Sequence, residues 1–161
     1  MDLLDRLLAH DAWTTRRLLD CARALPPSRL DAPQEIGPGS IRATLAHVIR
    51  NMEVWTDLMA EREPRTAGGD DVESLGSRLE AAAADLKALA TEVRARDAWD
   101  ERWLDRLDDP PREKTYGGAI GHVLTHSMHH RAQLIHMLKQ AGADDVPEGD
   151  LLGWERATRG P

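Results

Sequence analysis

The segment HVLTHSMHHRAQLIHML, residues 122–138, holds five of the chain's seven histidines. Neutral imidazole is a ligand for divalent ions. On an α-helix, residues four apart are separated by about 40° of rotation and about 6 Å of rise. His122, His126 and His130 therefore form one row, while His129 and His136 lie further round. An HxxxH pair can hold one ion, which is why that spacing recurs in helical zinc sites. Two ligands seldom suffice, because catalytic zinc usually takes three protein ligands and keeps a fourth position open. His47 is the best outside candidate and His10 the reserve. The opposing reading is a helix whose histidines bind nothing, since HxxxH by itself is a weak signal.

Counted at about 100° per residue, His126 and His130 fall about 80–120° to one side of the stripe Ile120, Leu124, Leu134 and Leu138. On the same count His47 falls about 120° from the stripe of its own helix. Such flanks suit a site at the edge or mouth of a helical bundle, and they also suit solvated side chains. Arg131 falls within the apolar stripe. It reads as the partner of an acidic residue on a neighbouring helix, with a clamp on a substrate anion or carboxylate as the alternative. Gln133 shares the side of His126 and could orient a ligand through a hydrogen bond; it reads equally as a solvated flank residue.

These side chains need helices to hold them. Residues 3 to 24 form the first, with Leu4, Leu7, Leu8, Leu18, Leu19 and Ala22 near the i, i+3, i+4 spacing, and Pro26 and Pro27 stop it. Ser40 reads as the N-cap of a second helix over 41–61, striped by Ile41, Leu45, Val48, Met52, Trp55 and Met59. Trp55 and Met59 are expected in the core. A third helix, rich in Ala, Leu and Glu, covers 71–96. Residues 97–118 have no helical stripe, and the pair Pro110 and Pro111 suggests a turn between two short extended pieces. A fourth helix covers 119–141 with Gly142 as its C′ residue, and LLGWERA forms a last short helix. Four long helices with a short extended insert imply an all-α four-helix bundle.

A length of 161 residues suits a single domain, 1–161, with a full core. The net charge of −7 argues against nucleic-acid binding. No apolar run approaches the roughly 20 residues that span a bilayer. The opening MDLLDRLLAHDAW is charged throughout and lacks a signal-peptide core, so a cytoplasmic location is expected. The single cysteine, Cys21, excludes an intrachain disulfide and a cysteine-based zinc cluster. It reads as a small buried apolar residue. Trp13 reads as core or as a pocket wall.

The stretches LLAHDAWTTRRLLD, GSIRATLAHVIRNMEVWTDLM and GHVLTHSMHHRAQLIHMLKQAG resemble, in order, the first, second and fourth helices of the DinB-like family. These are damage-inducible helical bundles that include the YfiT-type metal-dependent hydrolases. The most specific match is the H-x3-H-R-x-Q pattern from His126 to Gln133, and the resemblance runs over nearly the whole chain. It implies an up-down-down-up four-helix bundle, often a homodimer. It also implies a divalent metal, zinc or nickel, on His47, His126 and His130, with His122 and His129 outside the ligand set. His10 stands where relatives often carry Tyr, and Ala132 where they often carry Gly.

Characterised members of the family include transferases of low-molecular-weight thiols such as bacillithiol or mycothiol. The resemblance therefore implies a metal-dependent thiol S-transferase, or a related hydrolase or isomerase, acting on a small molecule. Arg131, Gln133 and His10 would support the site or the substrate. Two rivals remain: a non-catalytic stress protein that binds a metal or small ligand, and a bundle whose histidines bind nothing.

Overall fold

A computed structural model describes residues 1–160. Among them the chain runs α1 (Leu3–Arg23), α2 (Pro27–Leu30), α3 (Ile41–Met59), α4 (Val72–Ala95), β1 (Arg102–Asp105), β2 (Arg112–Thr115), α5 (Tyr116–Gln140) and α6 (Leu151–Arg159). The protein is mostly helical with one small antiparallel sheet, in which Trp103 faces Lys114. No described helix is long and apolar enough to cross a membrane.

Local chemistry sets the helix starts. The Asp2 carboxylate accepts from the Asp5 amide at 3.0 Å, and Asp5 accepts in return from the Asp2 amide. This reciprocal pairing satisfies two otherwise unpaired backbone donors of α1. Ser40, Asp71, Thr115 and Asp150 cap α3, α4, α5 and α6 one-sidedly, each side chain accepting from the amide three residues on. The cap on α5 moves its start ahead of the sequence expectation, from residue 119 to Tyr116. The two glycines that obscure this start have a packing reason at Gly117. Its amide donates to the Trp99 carbonyl at 2.9 Å, and a Cβ there would lie 3.1 Å from that oxygen. The loop expected after Pro26 also contains one helical turn, α2. Pro27 occupies its first position, where a missing N–H costs nothing, and Leu30 is buried beneath it.

The four long helices pack side by side, α1 and α3 each lying against both α4 and α5. Leu18 and Leu19 of α1, Leu45, Ile49 and Met52 of α3, Leu75 and Leu86 of α4, and Leu134 and Leu138 of α5 are fully buried between them. Burial of such side chains contributes about 1.5–3 kcal/mol each. Trp154 of α6 is buried against α1, its ring edge-on to His10 at 6.3 Å between centroids.

One charged pair lies inside this packing. Arg131 of α5 donates to the Asp11 carboxylate of α1 and to its backbone carbonyl, and to Ser127 Oγ at 3.3 Å. Both charged side chains are 4% exposed or less. The apolar-stripe arginine thus has the acidic partner on a neighbouring helix that its position called for. A half-removed buried pair leaves one charge without compensation, so Asp11→Ala should cost about 3–5 kcal/mol. The double change Asp11→Leu with Arg131→Met should cost much less. Urea unfolding of both variants checks this, and equal losses would contradict it.

Candidate metal centre

His47 is carried by the middle of α3, and His126 and His130 by successive turns of α5. Packing of α3 against α5 closes the gap of 79 residues between His47 and His126 and brings their Nε2 atoms to 3.2 Å. The three ring centroids lie 4.5–4.9 Å apart. One nitrogen from each ring lies within 4.8 Å of the others. Two nitrogens bound to one tetrahedral zinc at about 2.0–2.1 Å are themselves about 3.3 Å apart. The His47–His126 separation is close to that value, and so the donor set fits a divalent ion. Among the described residues, no cysteine or carboxylate joins the group.

The protonation states suit ligands. Burial, and after it the neighbouring rings, push the His126 pKa down to about 4. Burial, followed by His130, pushes that of His47 down as well. His126 Nδ1 is buried without a hydrogen-bond partner, so a second ring proton there would be left unsatisfied. Neutral imidazoles with free lone pairs result, which is the form that binds metal.

Gln133 fixes the third ring. Its Oε1 accepts from His130 Nδ1 at 2.8 Å, and its amide nitrogen donates to His129 Nε2 at 3.1 Å. The proton of His130 is thereby held on Nδ1, leaving Nε2 as the donor atom. The loop before α3 presses on the same amide. Gly37 adopts φ +59°, and a Cβ on it would come within 2.6 Å of Gln133 Oε1. A side chain at 37 would therefore push Gln133 away from His130.

Trp55, expected in the core, is only half-buried. Its ring lies against His122 at 4.7 Å and edge-on to Trp103 at 6.0 Å, with the Lys114 ammonium 4.6 Å from its centroid. His122 in turn stacks on His126 at 5.4 Å. His122 and Trp55 thus form an aromatic wall beside the triad. His136 is exposed and lies outside the group. Trp13 lines an open cleft with Trp154, and Cys21 is a buried thiol.

Two residues singled out with the histidines sit elsewhere. Arg131 and His10 belong to the α1–α5 contact, where His10 Nε2 donates to the Gly149 carbonyl at 2.9 Å. At about 100° per residue Arg131 is turned about 140° from His126, which separates it from the triad. Asp11 and Gly37 escaped the sequence reading. An aspartate beside the apolar stripe of the first helix was the available signal for Asp11. The GPG run marks a turn, but its contact with Gln133 depends on tertiary packing.

The model of the DinB family matches residues 1–158. The chain belongs to the DinB family. No curated protein matches it. DinB membership and the three-histidine geometry both point to a metal-binding domain.

The depressed pKa of His126 makes stability depend on pH. An unfolded chain takes up the proton near pH 6.5, whereas the fold resists it until about pH 4. Metal-free protein should therefore be most stable above pH 6.5 and lose stability as the pH falls from there to 4. Urea midpoints at pH 7.5 and 5.0 should drop further for the wild type than for His126→Gln. Equal drops would show that the histidine is not held neutral by the fold.

Proposed function

We propose that the protein is a metal-dependent enzyme whose divalent ion is held by His47, His126 and His130. Its chemistry would be S-transfer of a low-molecular-weight thiol to a small electrophile, or a related hydrolysis or isomerisation. The observation that carries the reading is the convergence of three imidazoles from two helices with no fourth protein ligand among the described residues. Three protein ligands and an open position are the pattern of catalytic rather than structural zinc.

When bound, a zinc or nickel ion would lower the pKa of a thiol or water and so supply a nucleophile at neutral pH. The remaining work falls to the chain. His47 and His126 approach from different helices and fix the ion relative to both. Gln133 holds the His130 proton on Nδ1 and sets the orientation of that ring. Trp55 and His122 provide an aromatic wall beside the centre against which a substrate can rest. Exposure of His47 leaves the centre open to solvent and substrate.

The same reading includes an up-down-down-up bundle formed by a single domain. Cross-helix contacts support the directions. Rising numbers on α3 meet falling ones on α5, as His47 with His126 and Trp55 with His122. Rising numbers on α1 meet falling ones on α4, as Asp5 with Arg94 and Arg16 with Glu80. A cytoplasmic homodimer acting on a small molecule, without nucleic-acid or membrane partners, completes the proposal; the charge of −7 supports the exclusion of nucleic acid.

Elemental analysis of untagged protein tests the centre. Near-stoichiometric zinc or nickel is expected in the wild type and its loss in His126→Ala; absence of metal from both, with none taken up on addition, would reject the proposal. Turnover of electrophiles should then require an added thiol, and turnover indifferent to thiol would replace the transferase with a hydrolase. Gln133→Leu and Gly37→Ala should each weaken metal binding about 10–100-fold through the loosened His130 ring, measured by competition with a chromophoric chelator. Unchanged affinity in both would remove Gln133 from the site.

A further inference from the structure

His129 is exposed and directly precedes His130 in the chain, yet it lies outside the ligand set. Its ring centroid is 5.0 Å from that of His130, with 76° between the planes, so the two rings do not stack. Its contact is with Gln133. Residues 129 and 133 are one helical turn apart, and residues 130 and 133 are three apart, so one side chain at 133 reaches both rings. Gln133 Oε1 lies 2.8 Å from His130 Nδ1, and Gln133 Nε2 lies 3.1 Å from His129 Nε2. Among the described residues the Gln133 amide has no other hydrogen bond.

The direction of each bond follows from what its atoms can do. An amide oxygen only accepts, and an amide nitrogen only donates. His130 Nδ1 must therefore carry a proton, and His129 Nε2 must present a lone pair. A neutral imidazole has one nitrogen of each kind. His130 is thus left with a bare Nε2, and His129 with its proton on Nδ1. The carboxamide keeps almost the same shape after a half-turn about its last bond. Reversed, its nitrogen would donate to His130 Nδ1 and its oxygen would accept from His129 Nε2. Both rings would then change tautomer, and His130 Nε2 would carry a proton that keeps a metal ion away. Gly37 lets the amide lie beside His130, and the group at the far end of the amide determines which way round it lies.

We propose that His129 is a positioning residue for the metal centre. As an acceptor at the far end of the Gln133 amide, it turns the amide oxygen toward His130. The His130 proton is thereby held on Nδ1 and its Nε2 is left free. The three side chains form a chain in which one end dictates the other: an acceptor at 129 bares His130 Nε2, and a donor at 129 protonates it. The consequence for the ion rests on the proposed metal centre; the coupling of the two rings does not.

Position 129 is exposed, so it can be changed without touching the core, and Glu, Lys and Leu all suit a helix. Glu is an acceptor only, Lys a donor only, and Leu neither. Long-range ¹H–¹⁵N spectra of metal-free protein at about pH 8.5, above the ordinary imidazole pKa of about 6.5, report which ring nitrogen is protonated. The His130 signals are identified by their loss in His130→Gln. The wild type and His129→Glu should show His130 protonated on Nδ1. His129→Lys should move that proton to Nε2, and His129→Leu should give a mixture of the two. His136→Leu removes an exposed histidine outside the group and should change nothing. A proton on His130 Nε2 in the wild type, or the wild-type tautomer kept in His129→Lys or His129→Leu, would overturn the inference. Zinc affinity should follow the fraction with a bare Nε2, falling at least about tenfold in His129→Lys and less in His129→Leu. Chelator competition in about 1 M salt, which screens the charge added at this exposed position, measures it. Equal zinc affinity in the wild type and His129→Lys would overturn the link to the ion. A wild type that takes up no zinc while its tautomers follow residue 129 would reject the metal reading and uphold the coupling.

Discussion

The contact between Arg131 and Asp11 sets the rotation of α5 about its own axis. A guanidinium at 3% exposure is tolerable only where a carboxylate meets it. Once Arg131 faces α1, the side of α5 about 100–140° away must face elsewhere, and that side carries His126 and His130. The neighbour there is α3, with His47 at the matching height. A helix held by apolar contacts alone could settle at several rotations of similar energy. A buried charge removes that freedom, because turning α5 by one residue would expose leucines and strand an ion at once.

Without a bound ion, the triad that results would be a costly arrangement. Three rings crowd lone pairs together, and the surroundings resist proton uptake by two of them. Natural sequences depart from local stability at sites that do something. The supporting shell is specific. Gln133 bridges two histidines, and the only residue that leaves Gln133 undisturbed at position 37 is glycine. Loop, amide and imidazole therefore act as one unit, with the tautomer of His130 decided by a turn nearly a hundred residues earlier in the chain.

Much of this was legible in the sequence because helices impose a short period on side chains. The four-residue row of His122, His126 and His130, the cap at Ser40 and the break at Pro26 are local signals, and the structure has each of them in place. His47 could be proposed from its flank position, although the meeting with His126 depends on how α3 and α5 pack. What stayed hidden was long-range. Trp55 sits in an apolar stripe but is drawn toward His122 and Lys114, because the hairpin β1–β2 covers that end of α3. The start of α5 was masked by two glycines whose tolerance comes from the Thr115 cap and the Trp99 carbonyl. The angle between Arg131 and His126 is set by the helical period, but that the one side meets α1 and the other α3 is decided by packing, and a single helix carries no record of that.

The partner of Asp11 lies 120 residues downstream. During synthesis at about 5–20 residues per second, α1 emerges roughly 6–24 s before Arg131 exists. Throughout that interval the first helix has a carboxylate on its inward side with no cation to receive it. Its apolar stripe cannot be buried there without also burying the lone charge. The nascent chain is thereby discouraged from collapsing on α1 prematurely, and the four long helices come together only when the last of them arrives.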